Sequence, residues 1–273
     1  MAELGYRYRF RPDELPAIRA CKDDHGFAIV EQLLPTAKIE AMQRDVCSVL
    51  ESSTPPGGTV YSLDFIQYSP ALASLLTIPP FMAVASALYD QSMTLNRSAA
   101  IFKRPGAAAG PWHTDWQALD PAAPTNDAVL NTTGACSMWF YLNGTHPSRA
   151  GLAIVPDSHR ADWPGPAGFF LTAGRNTFHR TGTPAEAYAL MDFPEAFPIL
   201  SDPGDLIIFA ERTYHGVFPH GGTEPRLSCA ISFRPGRGYP PAAWPPSQPT
   251  RDWIAAQPAA TRDVLEYYMG MPW

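Results

Sequence analysis

Positive charge is in short supply: 20 Lys and Arg stand against 26 Asp and Glu, a formal net charge of −6 over 273 residues. A groove that tracks nucleic-acid phosphates needs a surplus of cations, so no nucleic-acid partner is expected and a small-molecule substrate is. No apolar stretch is long enough to span a bilayer, so no membrane partner is expected. The stretch from Met1 to Phe10 carries charges throughout and lacks the apolar run of a secretory signal, so the expected location is cytoplasmic. Cysteine is sparse, with Cys21, Cys47, Cys136 and Cys229 in no C-x-x-C spacing. That excludes a zinc ribbon or a redox dithiol, and Cys136 and Cys229, inside apolar runs, read as small core hydrophobes. Internal repeats are absent, which sets solenoids and propellers aside. Nothing in the chain fixes an oligomeric state.

Turn formers are plentiful, with 30 Pro and 20 Gly placed between apolar segments, the texture of a loop-rich β protein. Up to residue 91 the pattern is a helical buttress: helix, the short strand Gly26 to Val30, an amphipathic helix from Pro35 to Leu50, and a second helical stretch from Pro70 to Tyr89. From 92 to 234 the pattern is short strands: Leu95 to Lys103, Trp112 to Gln117, Ala135 to Leu142, Leu152 to Val155, Asp205 to Ala210 and Leu227 to Phe233. An insertion at about 160 to 202 has no clean period and reads as a lid. A Pro-rich extension with a helix around Ala259 to Met269 closes the region 235 to 273. The expectation is one domain over 1 to 273, mainly β with flanking helices, forming a barrel or sandwich.

Chemistry concentrates at few positions. His113 and Asp115 flank Thr114 in a segment that reads as a strand, so their side chains project from one face, the geometry of two ligands on one metal. His215 follows the apolar strand Asp205 to Ala210 and is the best third ligand; the rival is His220. Two His and one carboxylate on one face leave open positions that suit non-haem iron(II), an oxo-acid and dioxygen. Arg226 comes eleven residues after His215, at the start of another apolar strand. A buried guanidinium needs an anion, and the distal carboxylate of a dicarboxylate is a bidentate match. Ser228 shares its face and offers a hydroxyl. Trp112, Trp116, Phe140 and Tyr141 are candidate pocket walls, although alternation lets only some face inward. His25, His146 and His179 have no partner at ligand spacing, and His159 reads as support for its turn.

Taken in order, Trp112-His113-Thr114-Asp115, Gly151 to Arg160, Gly204 to Phe209, His215-Gly216 and Arg226 resemble the phytanoyl-CoA dioxygenase family. The resemblance spans about residues 95 to 234. It implies a double-stranded β-helix, a jelly-roll or cupin-like barrel, with iron(II) on His113, Asp115 and His215 and 2-oxoglutarate on Arg226. It also implies an O2-dependent dioxygenase that hydroxylates a small metabolite and releases succinate and carbon dioxide, with a natural-product role favoured. Trp139 matches a family tryptophan beside 2-oxoglutarate, and Thr114 stands where relatives carry a cosubstrate-facing Gln. Departures are Asp157 in the family's Pro-Gly-Ser-His turn, His220 in place of an Asn, and Val217 where some relatives carry a hydroxyl. Halogenases that resemble this family have a small residue where this chain has Asp115, so oxygen transfer is implied. A cupin-like lyase or isomerase, or a catalytically silent binding protein on the same scaffold, remain the alternatives.

Overall fold

The computed structural model describes residues 4–90, 92–115, 135–183, 188–236, 246–265 and 268. The chain begins with β1 (Arg9–Phe10), α1 (Leu15–His25), β2 (Phe27–Val30), α2 (Thr36–Leu50) and β3 (Thr59–Leu63). It continues through α3 (Pro70–Ala73), α4 (Pro79–Ala87), β4 (Met93–Lys103), β5 (Gly110–His113), β6 (Cys136–Tyr141) and β7 (Leu152–Ile154). Then come β8 (Phe169–Leu171), β9 (Phe178–Arg180), β10 (Phe197–Pro198), β11 (Leu206–Ala210), β12 (His215–Val217), β13 (Arg226–Pro235), α5 (Gln248–Ala255) and α6 (Ala259–Leu265). The helical stretch expected from Pro70 to Tyr89 is broken. Pro79 and Pro80 open α4, and proline is tolerated in a first turn but not inside a continuous helix.

Two sheets make the jelly roll. The larger has seven strands in the order β1-β2-β11-β6-β13-β4-β3, the smaller four in the order β10-β7-β12-β5; β8 and β9 pair apart from both. This is the mainly β, double-stranded β-helix class expected from the sequence, with its two sheets separate rather than joined into a closed ring. Strand alternation divides the apolar side chains with little ambiguity. Ala28, Val30, Met138, Phe140, Leu206, Ile208, Cys229, Ile231 and Phe233 face α1, α2 and α4 in the largest core, and Cys136 and Cys229 are buried there as free thiols. Their strand neighbours Phe27, Ile29, Tyr141, Ile207 and Phe209 meet Leu152 and Ile154 of the small sheet in a second core. No single helix among the described residues is long and apolar enough to cross a membrane.

The small sheet's outer face is covered by the segment expected as a lid. Trp112, Ala153, Val155 and Tyr214 pack there against Phe178 and Phe193, with Phe169 and Tyr188 beside them. Phe193 lies edge-on to Trp112 at 4.9 Å between ring centres. None of the described residues between 160 and 202 lines the central cavity. The aromatic residues that gave this segment its irregular texture bury apolar area behind the sheet, where the hydrophobic gain is large.

Gly204 precedes β11 with φ of +98°, and a Cβ there would sit 2.6 Å from the backbone oxygen of Leu34. The same pair of residues is tied by a hydrogen bond from the Leu34 N–H to the Gly204 oxygen, at 3.1 Å. Gly204→Ala therefore meets both a forbidden backbone region and a backbone clash. Urea unfolding is expected to show a loss of about 1–3 kcal/mol. An unchanged midpoint would mean that this turn relaxes freely.

Candidate metal centre

The two histidines meet because of strand register. In the antiparallel pairing of β12 with β5, His215 stands directly opposite His113, and opposed residues on such strands share a face with their Cβ atoms about 4.5–5.5 Å apart. Both rings point between the sheets, their centres 4.3 Å apart, while Trp112, one residue away, points outward. β5 ends at His113. Asp115 lies in the bend that follows rather than on a strand, yet its Oδ1 comes within 3.9 Å of His113 Nε2 and 3.6 Å of His215 Nε2. The three ligand atoms all lie within 4.8 Å of one another.

Each donor is oriented by a further contact. The Nδ1 of His113 is 2.8 Å from the Pro111 oxygen and that of His215 is 3.0 Å from the Thr213 oxygen. A carbonyl only accepts, so both Nδ1 atoms carry the proton and both Nε2 lone pairs face the cluster. Burial, and then His113, lower the His215 imidazole to about 4, so it is a neutral donor at neutral pH. Burial alone would raise the Asp115 carboxyl. Arg97 first, then the two imidazoles and a hydrogen bond from Ser137, outweigh it and hold the group down at about 2.

Ser137 and Arg97 are site residues that sequence reading missed. Ser137 Oγ donates to Asp115 Oδ2 at 2.6 Å, which leaves Oδ1 alone facing the histidines. Arg97 donates to the Asp115 backbone oxygen at 3.2 Å and forms an ion pair with Glu211, whose Oε1 also accepts from Asn96 Nδ2 at 2.8 Å. Asn96 and Arg97 are chain neighbours and would face opposite ways on a regular strand. The pairing skips from Arg97 opposite Ser232 to Leu95 opposite Phe233, a bulge that turns both toward Glu211. The available signals were Ser137 two residues before Trp139, hence on its face, and an arginine, Arg97, in the middle of a strand of mixed polar and apolar residues. Ser137→Ala is expected to weaken metal binding about 10- to 100-fold, measured by competition with a chromophoric chelator without oxygen. Unchanged affinity would make the Ser137 bond incidental.

A cavity of about 420 Å³ opens beside the cluster, within the range of small-molecule pockets. Its walls are mainly apolar, with Ile101, Trp139, Leu152 and Phe209 among them, and Arg226 and Lys103 supply cations. Arg226 is 3% exposed, donates to Ser228 Oγ at 3.0 Å and stacks its guanidinium 5.0 Å from the Tyr141 ring centre. Its Nε is buried without a hydrogen-bond partner. Ser228 is fully buried and orients Arg226 rather than facing the cavity.

Trp139 and Tyr141 are wall residues, whereas Phe140 points into the helical core. Trp116 and Gln117 lie outside the described residues. Thr114, just past the end of β5, is not among the residues lining the cavity, and its backbone N–H donates to the Asn176 oxygen at 2.8 Å. His220 does not join the ligand cluster; it pairs with Arg149 in an isolated bridge. His25 pairs with Asp157 at 3.0 Å, and His159 Nε2 donates to the Asp23 oxygen at 2.9 Å, supporting its turn. In a separate depression of about 640 Å³, Arg9 is already paired with both Glu31 and Asp205.

The phytanoyl-CoA dioxygenase (PhyH) family profile matches residues 23–228. The chain belongs to this family. Its members use iron(II), 2-oxoglutarate and dioxygen, and the donor set here fits that group: two imidazoles, one carboxylate oxygen and a buried cation with an orphaned nitrogen. No curated protein matches. Among solved structures, the 2-oxoglutarate-dependent epimerase SnoN from nogalamycin biosynthesis is similar at 20% identity, covering 82% of this chain and 84% of that one, with a TM-score of 0.61. HygX from Streptomyces hygroscopicus, with nickel and 2-oxoglutarate bound, is similar at 17% identity, with coverage of 84% and 88% and a TM-score of 0.63. The carbocyclase SnoK from nogalamycin biosynthesis is similar at 18%, with coverage of 80% and 83% and a TM-score of 0.58. These likenesses establish the shared fold.

Proposed function

We propose that this family member is an iron(II)- and 2-oxoglutarate-dependent oxygenase that hydroxylates an unactivated C–H bond of a small, largely apolar metabolite. A role in natural-product biosynthesis and a cytoplasmic location belong to the same reading. The observation that carries it is the combination of the His113, Asp115 and His215 cluster with a buried, unsatisfied Arg226 lining the same cavity. A metal site alone would serve a lyase as well; a guanidinium waiting for a carboxylate points to a dicarboxylate cosubstrate. The similarity to SnoN, SnoK and HygX supports the natural-product setting, since one structure of HygX holds hygromycin B and one of SnoN a nogalamycin compound.

When bound, iron(II) with 2-oxoglutarate and dioxygen supplies the oxidant for C–H cleavage, with release of succinate and carbon dioxide. The protein's part follows from its own residues. His113 and His215 offer Nε2, and Ser137 limits Asp115 to one oxygen, so the donors occupy one side and the cavity side stays free of protein ligands. Arg226, braced by Ser228, would hold the distal carboxylate. Ile101, Trp139, Leu152 and Phe209 exclude water and hold an apolar substrate beside the metal.

The deciding experiment measures succinate released from 2-oxoglutarate with and without iron(II), across a panel of candidate metabolites, with the oxidised product identified by mass. Succinate formation that is iron-dependent and stimulated by one metabolite is expected, with an added oxygen in the product. Metal-dependent conversion that needs no 2-oxoglutarate would instead favour the lyase or isomerase reading.

A further inference from the structure

Besides Arg226 and the Glu211-paired Arg97, the cavity wall carries a third cation, Lys103. Lys103 closes β4 directly opposite Arg226 on β13, so the two side chains leave the sheet on one face, about 4.5–5.5 Å apart at Cβ. Each is 3% exposed, and both line the cavity. Among the described residues neither has a carboxylate partner: Lys103 Nζ donates to the Ala108 oxygen at 2.6 Å, and Arg226 has Ser228 and the Tyr141 ring. Two buried like charges side by side repel strongly in a low dielectric. An anion between them relieves both.

We propose that Lys103 shares the distal carboxylate of 2-oxoglutarate with Arg226 and couples cosubstrate binding to proton uptake. The inference rests on the 2-oxoglutarate reading of this site. A carboxylate offers about four acceptor positions, so a guanidinium and an ammonium can be satisfied together.

Burial, and then Arg226, push the Lys103 ammonium down to about 8, so the free protein gives up this proton just above neutrality. A bound carboxylate favours the charged form and raises the group again. A group whose pKa rises on binding contributes fully below its free value and ever less above it. Affinity for 2-oxoglutarate is therefore full at neutral pH and falls as pH climbs past 8, and binding at pH 8 takes up about half a proton. Two other titratable groups at this end are shifted away from that window. Burial lowers His220, on the loop after β12, and raises Tyr141 on β6, while the facing strand position on β3 is Thr59.

Calorimetric titration of nickel(II)-loaded protein with 2-oxoglutarate, from pH 7 to 9 in buffers of differing ionisation enthalpy, reads affinity and proton uptake together. Pyruvate, which keeps the keto-acid end and lacks the distal carboxylate, is the reference. Wild type is expected to take up about half a proton with 2-oxoglutarate at pH 8 and none with pyruvate. Lys103→Met is expected to bind 2-oxoglutarate about 10- to 100-fold more weakly at pH 7, with no proton uptake and unchanged pyruvate affinity. Lys103→Arg is expected to keep the affinity and lose the pH dependence.

Lys103→Met with wild-type affinity and proton uptake overturns the proposal, as does an equal loss for both ligands, which would mark a structural role. Arg226→Met separates the two readings. If it binds 2-oxoglutarate like wild type, the cosubstrate site itself is misplaced. If it fails to bind while Lys103→Met is unaffected, only the Lys103 assignment falls.

Discussion

Asp115→Ala is expected to lose iron on desalting and, with it, all substrate-stimulated succinate release. Asp115 is the only anionic donor in the cluster. Without it, a divalent cation would meet two neutral imidazoles beside the positive Arg97, whose charge now helps hold the carboxylate ionised. Removing one partner from a buried, hydrogen-bonded set of charges costs about 3–5 kcal/mol, which is about a hundred-fold to several thousand-fold in metal affinity. The Ser137 hydroxyl loses its acceptor at the same time. Iron per chain after gel filtration, with a thermal melt to confirm folding, is the measurement. A folded Asp115→Ala protein with full iron and full turnover would remove the metal assignment altogether.

The parts of this architecture that follow simple periods were legible before any coordinates. Period-two alternation says that only some of the aromatics of β6 face inward, without saying which, and the same rule with a short reach brought Arg226 and Ser228 together. The His113 and Asp115 pairing was expected for a strand, but β5 stops at His113, and a bend delivers the carboxylate. Convergence came from the register of β12 on β5, a long-range pairing that no local pattern encodes. The bulge that turns Asn96 and Arg97 toward Glu211 depends on one unpaired residue in β4, and nothing in Asn96-Arg97 announces it. Lys103 was overlooked because a lysine at a strand end usually reaches solvent. Only the pairing with Arg226 shows it inside. The 160 to 202 segment read as a lid from its length and lack of a clean period, and its described aromatics pack against Trp112 and Tyr214 behind the small sheet, a docking that no local pattern announces.

Arg226→Met should separate stability from function more sharply than any other change. Without an anion beside it Arg226 is an unfavourable resident: it is buried, its Nε lacks a partner, and Lys103 stands opposite with the same charge. Methionine replaces most of the apolar stem and removes the charge, and exchanging buried ionic groups for apolar ones of similar volume is often neutral or stabilising. The metal-free variant is therefore expected to unfold within about 1 kcal/mol of wild type or later. Lys103, relieved of its neighbour, regains part of its basicity. Iron retention should be unchanged, because Arg226 is not part of the ligand cluster. Cosubstrate binding should fail, since loss of a buried charged contact costs about 2–5 kcal/mol, equivalent to a rise in the 2-oxoglutarate requirement of about 30-fold to several thousand-fold. Excess 2-oxoglutarate should restore part of the turnover, with Lys103 as the remaining cation. A variant that instead melts early and sheds iron would place Arg226 in the scaffold, not in the cosubstrate pocket. Native-like stability combined with a selective loss of 2-oxoglutarate binding would show that this strained pair of cations is kept for the ligand it awaits.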